Sequence, residues 1–383
     1  MAKQLRSSRL FILFFVALAG GVATLGCGGE ESGRDAVRLN ELQLIGTHNS
    51  YHLEPPAALV NAIATQDPEF ARSIQFSHAP LPQQLDAGIR QLELDVYADP
   101  EGGRFAKRVA GELLGIATDG GVDELRKPGF KVLHAPEVDF YSTCWTLKSC
   151  LAGIAAWSDA HPNHVPITVF IEAKDEPIED PLKLGFVQPL PIDAAALRTL
   201  DTEILSVFAR DRLITPDSIR SSKATLEEAV LAGGWPTLDK AKGKLMFVLL
   251  DEGSKRVAYR SGASSLERRV MFTTSSAGQP DAAVIKIDDM TGKGEQIQQL
   301  VRSGYLVRIL ADIETAEARR GDGSRRDAAL ASGAQFVSTD FPEAVGVATG
   351  GYLVRFADGS RMRCNPVTAS ANCAAVIARL SVR

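Results

Sequence analysis

The chain has 383 residues, enough for one large domain or two ordinary ones, and its 45% hydrophobic content supplies a sizeable core. A formal charge of −5 and the lack of any Lys/Arg run argue against nucleic acid or another polyanion as partner.

The N-terminus carries Lys3, Arg6 and Arg9, then an apolar run from Leu10 to about Leu18, then small residues. That layout predicts a signal peptide over residues 1–26 and export of the mature chain, since the apolar core is short for a membrane span. Gly26-Cys27, followed by a Gly- and Glu-rich stretch, resembles a bacterial lipoprotein site, with Cys27 as lipid acceptor and residues 27–39 as tether. An ordinary cleaved signal is the competing reading. Setting Cys27 aside leaves Cys144, Cys150, Cys364 and Cys373. An even set in an oxidising compartment reads as disulfides, and the short separations favour Cys144–Cys150 and Cys364–Cys373. A zinc site ranks lower because no pair has the usual two- to four-residue spacing.

The first predicted strand is the run Leu42, Leu44 and Ile45, which stops at Gly46 and delivers Thr47, His48, Asn49 and Ser50. Taken alone, His48 reads more readily as a core histidine at a strand end, satisfied by a carbonyl. Pro- and Ala-rich residues 50–79 follow, with one helix near 56–65, then a short helix over 83–87 that stops at Gly88. In the strand Ile89 to Val96, Glu93 and Asp95 are two apart and share one face. The pattern of an apolar strand with a polar end recurs at Phe130–Leu133 before His134, and at Pro166–Ile171 before Glu172 and Lys174. It recurs again at Lys244–Leu250, Ala283–Ile287, Tyr305–Leu310 and Gln335–Ser338, the last before Thr339 and Asp340. Helices are expected at 143–157, with Leu147, Leu151 and Ile154 on one side, and at 194–210, with Leu197, Leu200, Ile204 and Leu205 together. His161 and His164, set among prolines, read as turn residues.

Eight strands alternating with helices predict an α/β fold, a TIM-type (β/α)8 barrel over residues 40–345 with its site at the C-terminal ends of the strands. An open doubly wound sheet is disfavoured by the missing glycine-rich phosphate loop after the first strand. Beyond the barrel, residues 346–383 are expected to form a disulfide-stapled hairpin, Tyr352–Phe356 against Arg361–Cys364, packed on the barrel.

Asn49, Glu93, Asp95 and Glu172 make a hard-oxygen set that favours Ca²⁺ or Mg²⁺ over Zn²⁺. Three carboxylates crowded together without a cation would force at least one pKa up strongly. His48 and His134 beside such an ion suit attack by a neighbouring hydroxyl on a phosphodiester, with one imidazole taking a proton and the other giving one.

GTHNSYH at Gly46–His52, LELD at Leu92–Asp95, VLH at Val132–His134 and PITVFIE at Pro166–Glu172 together resemble the phosphatidylinositol-specific phospholipases C, in particular their calcium-dependent bacterial branch. ALASGAQFVSTDFP at 329–342 and RCNP at 363–366 extend the resemblance over nearly the whole mature chain. It implies a β/α barrel, His48 and His134 as the catalytic pair, and Ca²⁺ held by Asn49, Glu93, Asp95 and Glu172. It further implies cleavage of phosphatidylinositol through the inositol 2-hydroxyl. His48 is assigned the base or phosphoryl-stabilising role and His134 the acid role, with the reverse and Glu93 as base left open. The animal branch ends its fifth strand in lysines that grip ring phosphates. The stretch Phe247–Leu250 has none, which argues against polyphosphorylated substrates. Lys174 and Arg308 are candidates for contacts to phosphate or inositol, or else salt-bridged structural residues. A glycerophosphodiester phosphodiesterase is the first alternative, opposed by His48-Asn49-Ser50 where those enzymes carry His-Arg-Gly. A lipid-anchored head-group-binding module is the second. The chain is expected to be a monomer held at a membrane surface.

Overall fold

The computed structural model describes residues 36–116 and 121–381. The predicted signal peptide, Cys27 and most of the tether lie outside them. Among the described residues no helix is long and apolar enough to cross a membrane.

The strands in chain order are β1 (Leu42–Thr47), β2 (Gln91–Tyr97), β3 (Lys131–Val132), β4 (Ile167–Ala173), β5 (Leu213–Ile214) and β6 (Leu245–Leu249). They continue as β7 (Phe272–Thr273), β8 (Val284–Ile287), β9 (Leu306–Leu310), β10 (Phe336–Thr339) and β11 (Met362–Cys364). Parallel pairing runs from β7 through β6, β4, β2, β1, β10 and β9 to β8. A parallel bridge between Thr274 and Val284 joins the two ends, so these eight strands close into a barrel. First and last barrel strands are neighbours, as closure requires.

The expected barrel is present, but one of its strands is not the one read from the sequence. Phe130–Leu133 contributes β3, which runs antiparallel to the end of β2, with Val96 opposite Val132. The fifth barrel strand is instead β7, whose two residues are too short to carry a periodic signal. The stretch Phe247–Leu250 therefore belongs to the fourth strand, and the lysine comparison belongs to β7. Residues 270–276 around β7, VMFTTSS, contain no lysine either.

Alternation sets the inward face. Phe170 and Phe336 lie two residues before Glu172 and Ser338, and their rings meet edge to face at 5.5 Å beneath the polar layer. At the β1–β2 contact Gly46 sits opposite Gln91, and a Cβ at Gly46 would lie 1.9 Å from the Gln91 Oε1 atom. Only glycine lets the Gln91 side chain cross there, where its Oε1 accepts from Ser338 Oγ at 2.6 Å.

The helix Leu147–Ala160 is capped by Thr146, which accepts from Ser149 N, and it buries Leu147, Leu151 and Ile154 as its spacing predicts. The helix Ala194–Val207 is capped by Asp193 and buries Leu197, Leu200 and Ile204, whereas Leu205 is 39% exposed. Leu205 is one position past Ile204 and so turns about 100° away from that stripe. His161 and His164 are the expected turn residues, bonded to Trp157 O and to Ser158 Oγ and Val165 O.

The C-terminal segment differs from the expected hairpin. Of residues 361–364, Met362–Cys364 form the strand β11, but β11 pairs antiparallel with β1, Leu42 facing Cys364, and 352–356 is not a strand. The outer edge of β1 ahead of its contact with β2 offers unpaired backbone groups, which satisfy β11 better than a short isolated hairpin would. Both disulfides form with the predicted pairing. Cys364–Cys373 ties β11 to the helix Cys373–Ser381. Replacing both cysteines by serine is expected to cost about 2–3 kcal/mol for a loop of this length. Urea unfolding reads this as a lower midpoint, and an unchanged midpoint would mean that the β1 pairing alone holds β11.

Candidate active site

The end of β1 is stitched between its two neighbours. The His48 N–H donates to Thr339 O at 3.0 Å, continuing the β10 ladder, while Ser50 N–H donates to Glu93 O at 2.9 Å and Ser50 Oγ accepts from Glu93 N at 2.8 Å. Asn49, between them, takes a left-handed backbone with φ 44°, a conformation that asparagine tolerates better than most residues. One tight turn thus sets His48 beside the end of β10 and Asn49 beside β2.

His48 Nδ1 lies 2.8 Å from Asp340 Oδ1, and its Nε2 lies 3.6 Å from Glu93 Oε1. Burial works to lower the pKa of this imidazole, but the carboxylates of Asp340 and Glu93 outweigh it and raise it to about 10. Asp340 is itself braced. Its N–H donates to Asp312 Oδ1 at 2.9 Å, and Asp312 Oδ2 accepts from Thr339 Oγ1 and, at 3.2 Å, from the Tyr352 hydroxyl. Burial, with Asp340 adjacent, pushes the Asp312 carboxyl up to about 7.

β2 and β4 supply the acidic cluster. Asp95 and Glu172 are register partners, and Glu93, Asp95 and Glu172 each place an oxygen within 4.8 Å of the others. Asn49 Oδ1 and both Asp95 oxygens are buried and accept no hydrogen bond. Orphaned acceptors of this kind cost free energy unless a cation meets them, and an all-oxygen donor set suits calcium. Lys174 shares the cluster, with Nζ 3.4 Å from Asp95 Oδ2 and 3.2 Å from Glu172 Oε2. Burial raises the Asp95 pKa well above the carboxylate range despite Lys174. Glu172 is held below its usual range, because Lys174 and the charges of both His48 and His134 outweigh its burial.

Arg308, 2% exposed, orients the cluster from β9. It donates to Glu93 Oε2 at 2.6 Å, to Asp288 Oδ1 at 2.8 Å and to Ser338 Oγ at 3.1 Å.

His134 follows β3 and reaches the site because that short strand turns back over the end of β2. Its Nδ1 lies 2.7 Å from Asp139 Oδ2, and its carbonyl accepts from the Tyr97 hydroxyl at 2.8 Å. Burial lowers its pKa, and Asp139 only partly restores it.

The structure thus brings His48, Asn49, Glu93, Asp95, His134, Glu172, Lys174 and Arg308 to the C-terminal end of one barrel, the face on which such folds place their chemistry. Sequence reasoning did not assign Asp340 and Asp139, the carboxylates on the inner nitrogens of the two histidines. Asp340 carried a signal, a strand end opposite the first strand of a closed barrel. Asp139 carried none, since it lies in an irregular loop.

A β/α barrel with paired histidine–carboxylate groups around an oxygen cluster defines a class suited to metal-assisted phosphodiester chemistry. The family profile described as "Phosphoinositide phospholipase C, Ca2+-dependent" matches residues 37–366. The chain belongs to this family and is an enzyme of its class, a phosphoric diester hydrolase of the phosphatidylinositol-specific phospholipase C type. Among solved structures, the calcium-dependent phosphoinositol-specific phospholipase C of a Gram-negative Pseudomonas species is similar at 16% identity and TM-score 0.50, over 86% of this chain and 95% of that one. Its myo-inositol complex is similar at TM-score 0.51 and 16% identity, over 86% and 96%. The Ca²⁺-dependent enzyme of Streptomyces antibioticus is similar at 21% identity and TM-score 0.50, over 80% and 95%. A comparison with curated protein sequences finds no match.

Proposed function

We propose that the chain is an exported Ca²⁺-dependent phospholipase C that cleaves phosphatidylinositol into diacylglycerol and an inositol phosphate, first formed as the cyclic phosphate. The observation that carries this reading is the cluster of three carboxylates, in which neither Asp95 oxygen accepts a hydrogen bond, flanked by two carboxylate-held histidines. Asn49, Glu93, Asp95 and Glu172 would hold the ion. Bound Ca²⁺ supplies positive charge against the phosphoryl oxygens as charge develops on phosphorus.

The remaining chemistry belongs to the side chains. The inositol 2-hydroxyl attacks phosphorus and its proton passes to Glu93 Oε1, while the His48 imidazolium, its Nε2 3.6 Å from that oxygen, stabilises the phosphoryl oxygens. The diacylglycerol oxygen leaves and takes the Nε2 proton of the His134 imidazolium, which returns to the neutral Nδ1–H ring held by Asp139. The lowered pKa of His134 makes its imidazolium a strong acid toward that alkoxide. Lys174 is assigned the phosphoryl contact, and Arg308 acts through Glu93. A myo-inositol complex of the Pseudomonas relative is consistent with an inositol head group here. The basic, apolar and small-residue layout of residues 1–26 supports export, and Gly26-Cys27 supports a lipid anchor.

The test is release of water-soluble inositol phosphate from phosphatidylinositol micelles by the mature chain. Removing Ca²⁺ with a chelator is expected to lower the rate about 100-fold or more. A chelator-insensitive rate would remove the metal from the reading.

A further inference from the structure

His52 closes the GTHNSYH stretch, is fully buried, and takes no part in the chemistry described above. Its Nδ1 is 3.0 Å from the Phe76 carbonyl, which only accepts, so Nδ1 carries a hydrogen. Its Nε2 is 2.8 Å from both oxygens of Asp139. The Oδ2 atom of this carboxylate also receives His134 Nδ1 at 2.7 Å. Asp139 is itself fully buried and bridges two imidazoles, and its backbone is locked in a turn with Ala135 by N–H···O bonds of 2.8 and 2.9 Å.

A buried carboxylate is costly unless hydrogen-bonded, and His52, whose two nitrogens both face groups that accept, meets it as an imidazolium with a second N–H on Nε2. Asp139 Oδ2 is then held as the acceptor for His134 Nδ1–H. Nε2 is then the nitrogen without a hydrogen in the neutral ring, and so the one that carries the donated proton in the imidazolium and gives it up.

The His52 backbone is fixed as well. Its N–H donates to Asn49 O at 2.9 Å, its carbonyl accepts from His78 N at 2.9 Å, and its ring stacks on Phe76 at 4.3 Å.

We propose that His52 is a positioning residue which, acting through Asp139, fixes the Nδ1–H tautomer and ring orientation of His134. A histidine that merely fills the core would affect stability when replaced and leave the His134 tautomer alone. The proposal rests on the reading of His134 as the proton donor to the leaving group, but its first test does not.

That test is ¹⁵N NMR of histidine-labelled protein, wild type against His52→Phe, which keeps an aromatic ring beside Phe76 and loses both hydrogen bonds. Wild-type His134 is expected as the Nδ1–H tautomer, and in the variant its two nitrogens are expected to shift toward a mixture. In parallel, kcat on phosphatidylinositol is expected to fall about 10- to 100-fold, the range for residues that orient a reacting group, with KM and Ca²⁺ affinity within about twofold. His52→Gln, which retains one amide donor for Asp139, should recover part of kcat. His52→Leu, which likewise donates nothing to Asp139, serves as the test variant should His52→Phe not fold. A His134 spectrum identical to wild type in folded His52→Phe or His52→Leu overturns the proposal, even if wild-type protein shows no phospholipase activity. Loss of activity in wild type alone counts against the functional reading and leaves the tautomer result to decide this one.

Discussion

Replacing His134 by alanine is expected to lower turnover of phosphatidylinositol by about 10²–10⁴-fold while Ca²⁺ binding persists. The separation follows from geometry. His134 is held by Asp139 and Tyr97 on the loop after β3, whereas the oxygen cluster is built from β1, β2 and β4. Truncation therefore removes a proton donor without removing a ligand. The effect should sit in kcat, because the proton is delivered only as the leaving oxygen develops charge. Substrates with a more acidic leaving group, such as an aryl inositol phosphate, should lose less, since a phenolate leaves without needing a proton. Equal losses on both substrates would move His134 out of the acid role. Wild-type activity in the variant would remove it from the mechanism.

Asp95→Asn is expected to have the second large effect, and in opposite directions on two properties. Ca²⁺ affinity should fall about 100-fold or more, because one carboxylate of a three-carboxylate set loses its charge. Stability without the ion should hold or rise, because a buried carboxylate whose pKa burial has raised costs the fold when ionised, and an amide does not. Wild-type protein should gain about 2.7 kcal/mol at a Ca²⁺ concentration 100 times its Kd. The variant should gain almost nothing at that concentration. Calorimetric titration and thermal unfolding with and without the ion measure both. Unchanged affinity would show that Asp95 is not a ligand.

Much of this site is legible in the sequence because a barrel strand converts spacing into direction. Glu93 and Asp95, two apart in an apolar run, must share a face, and Glu172 ends a neighbouring strand of the same kind. His48 and Asn49 are legible because Gly46 and Thr47 end an apolar strand abruptly. The parts that were not legible lack a period. β7 has two residues, and β3 has the apolar signature of a barrel strand but a different partner, a distinction that depends on what lies beside it in space. Asp139 lies in a loop where nothing local distinguishes it from any solvated aspartate, and its meaning comes from two histidines that reach it from different elements. The C-terminal strand was placed correctly along the chain, but its partner was wrong, because the edge of β1 competes with the nearer segment and wins.

The most direct measurement follows the phosphorus itself. Phosphatidylinositol in detergent micelles, incubated with mature protein and Ca²⁺, is monitored by ³¹P NMR. The account predicts loss of the lipid phosphodiester signal and growth of an inositol cyclic phosphate signal, with diacylglycerol in the organic phase, all arrested by chelator. A phosphodiester signal that persists with folded, Ca²⁺-loaded protein would contradict it, as would products in which the phosphate stays on glycerol.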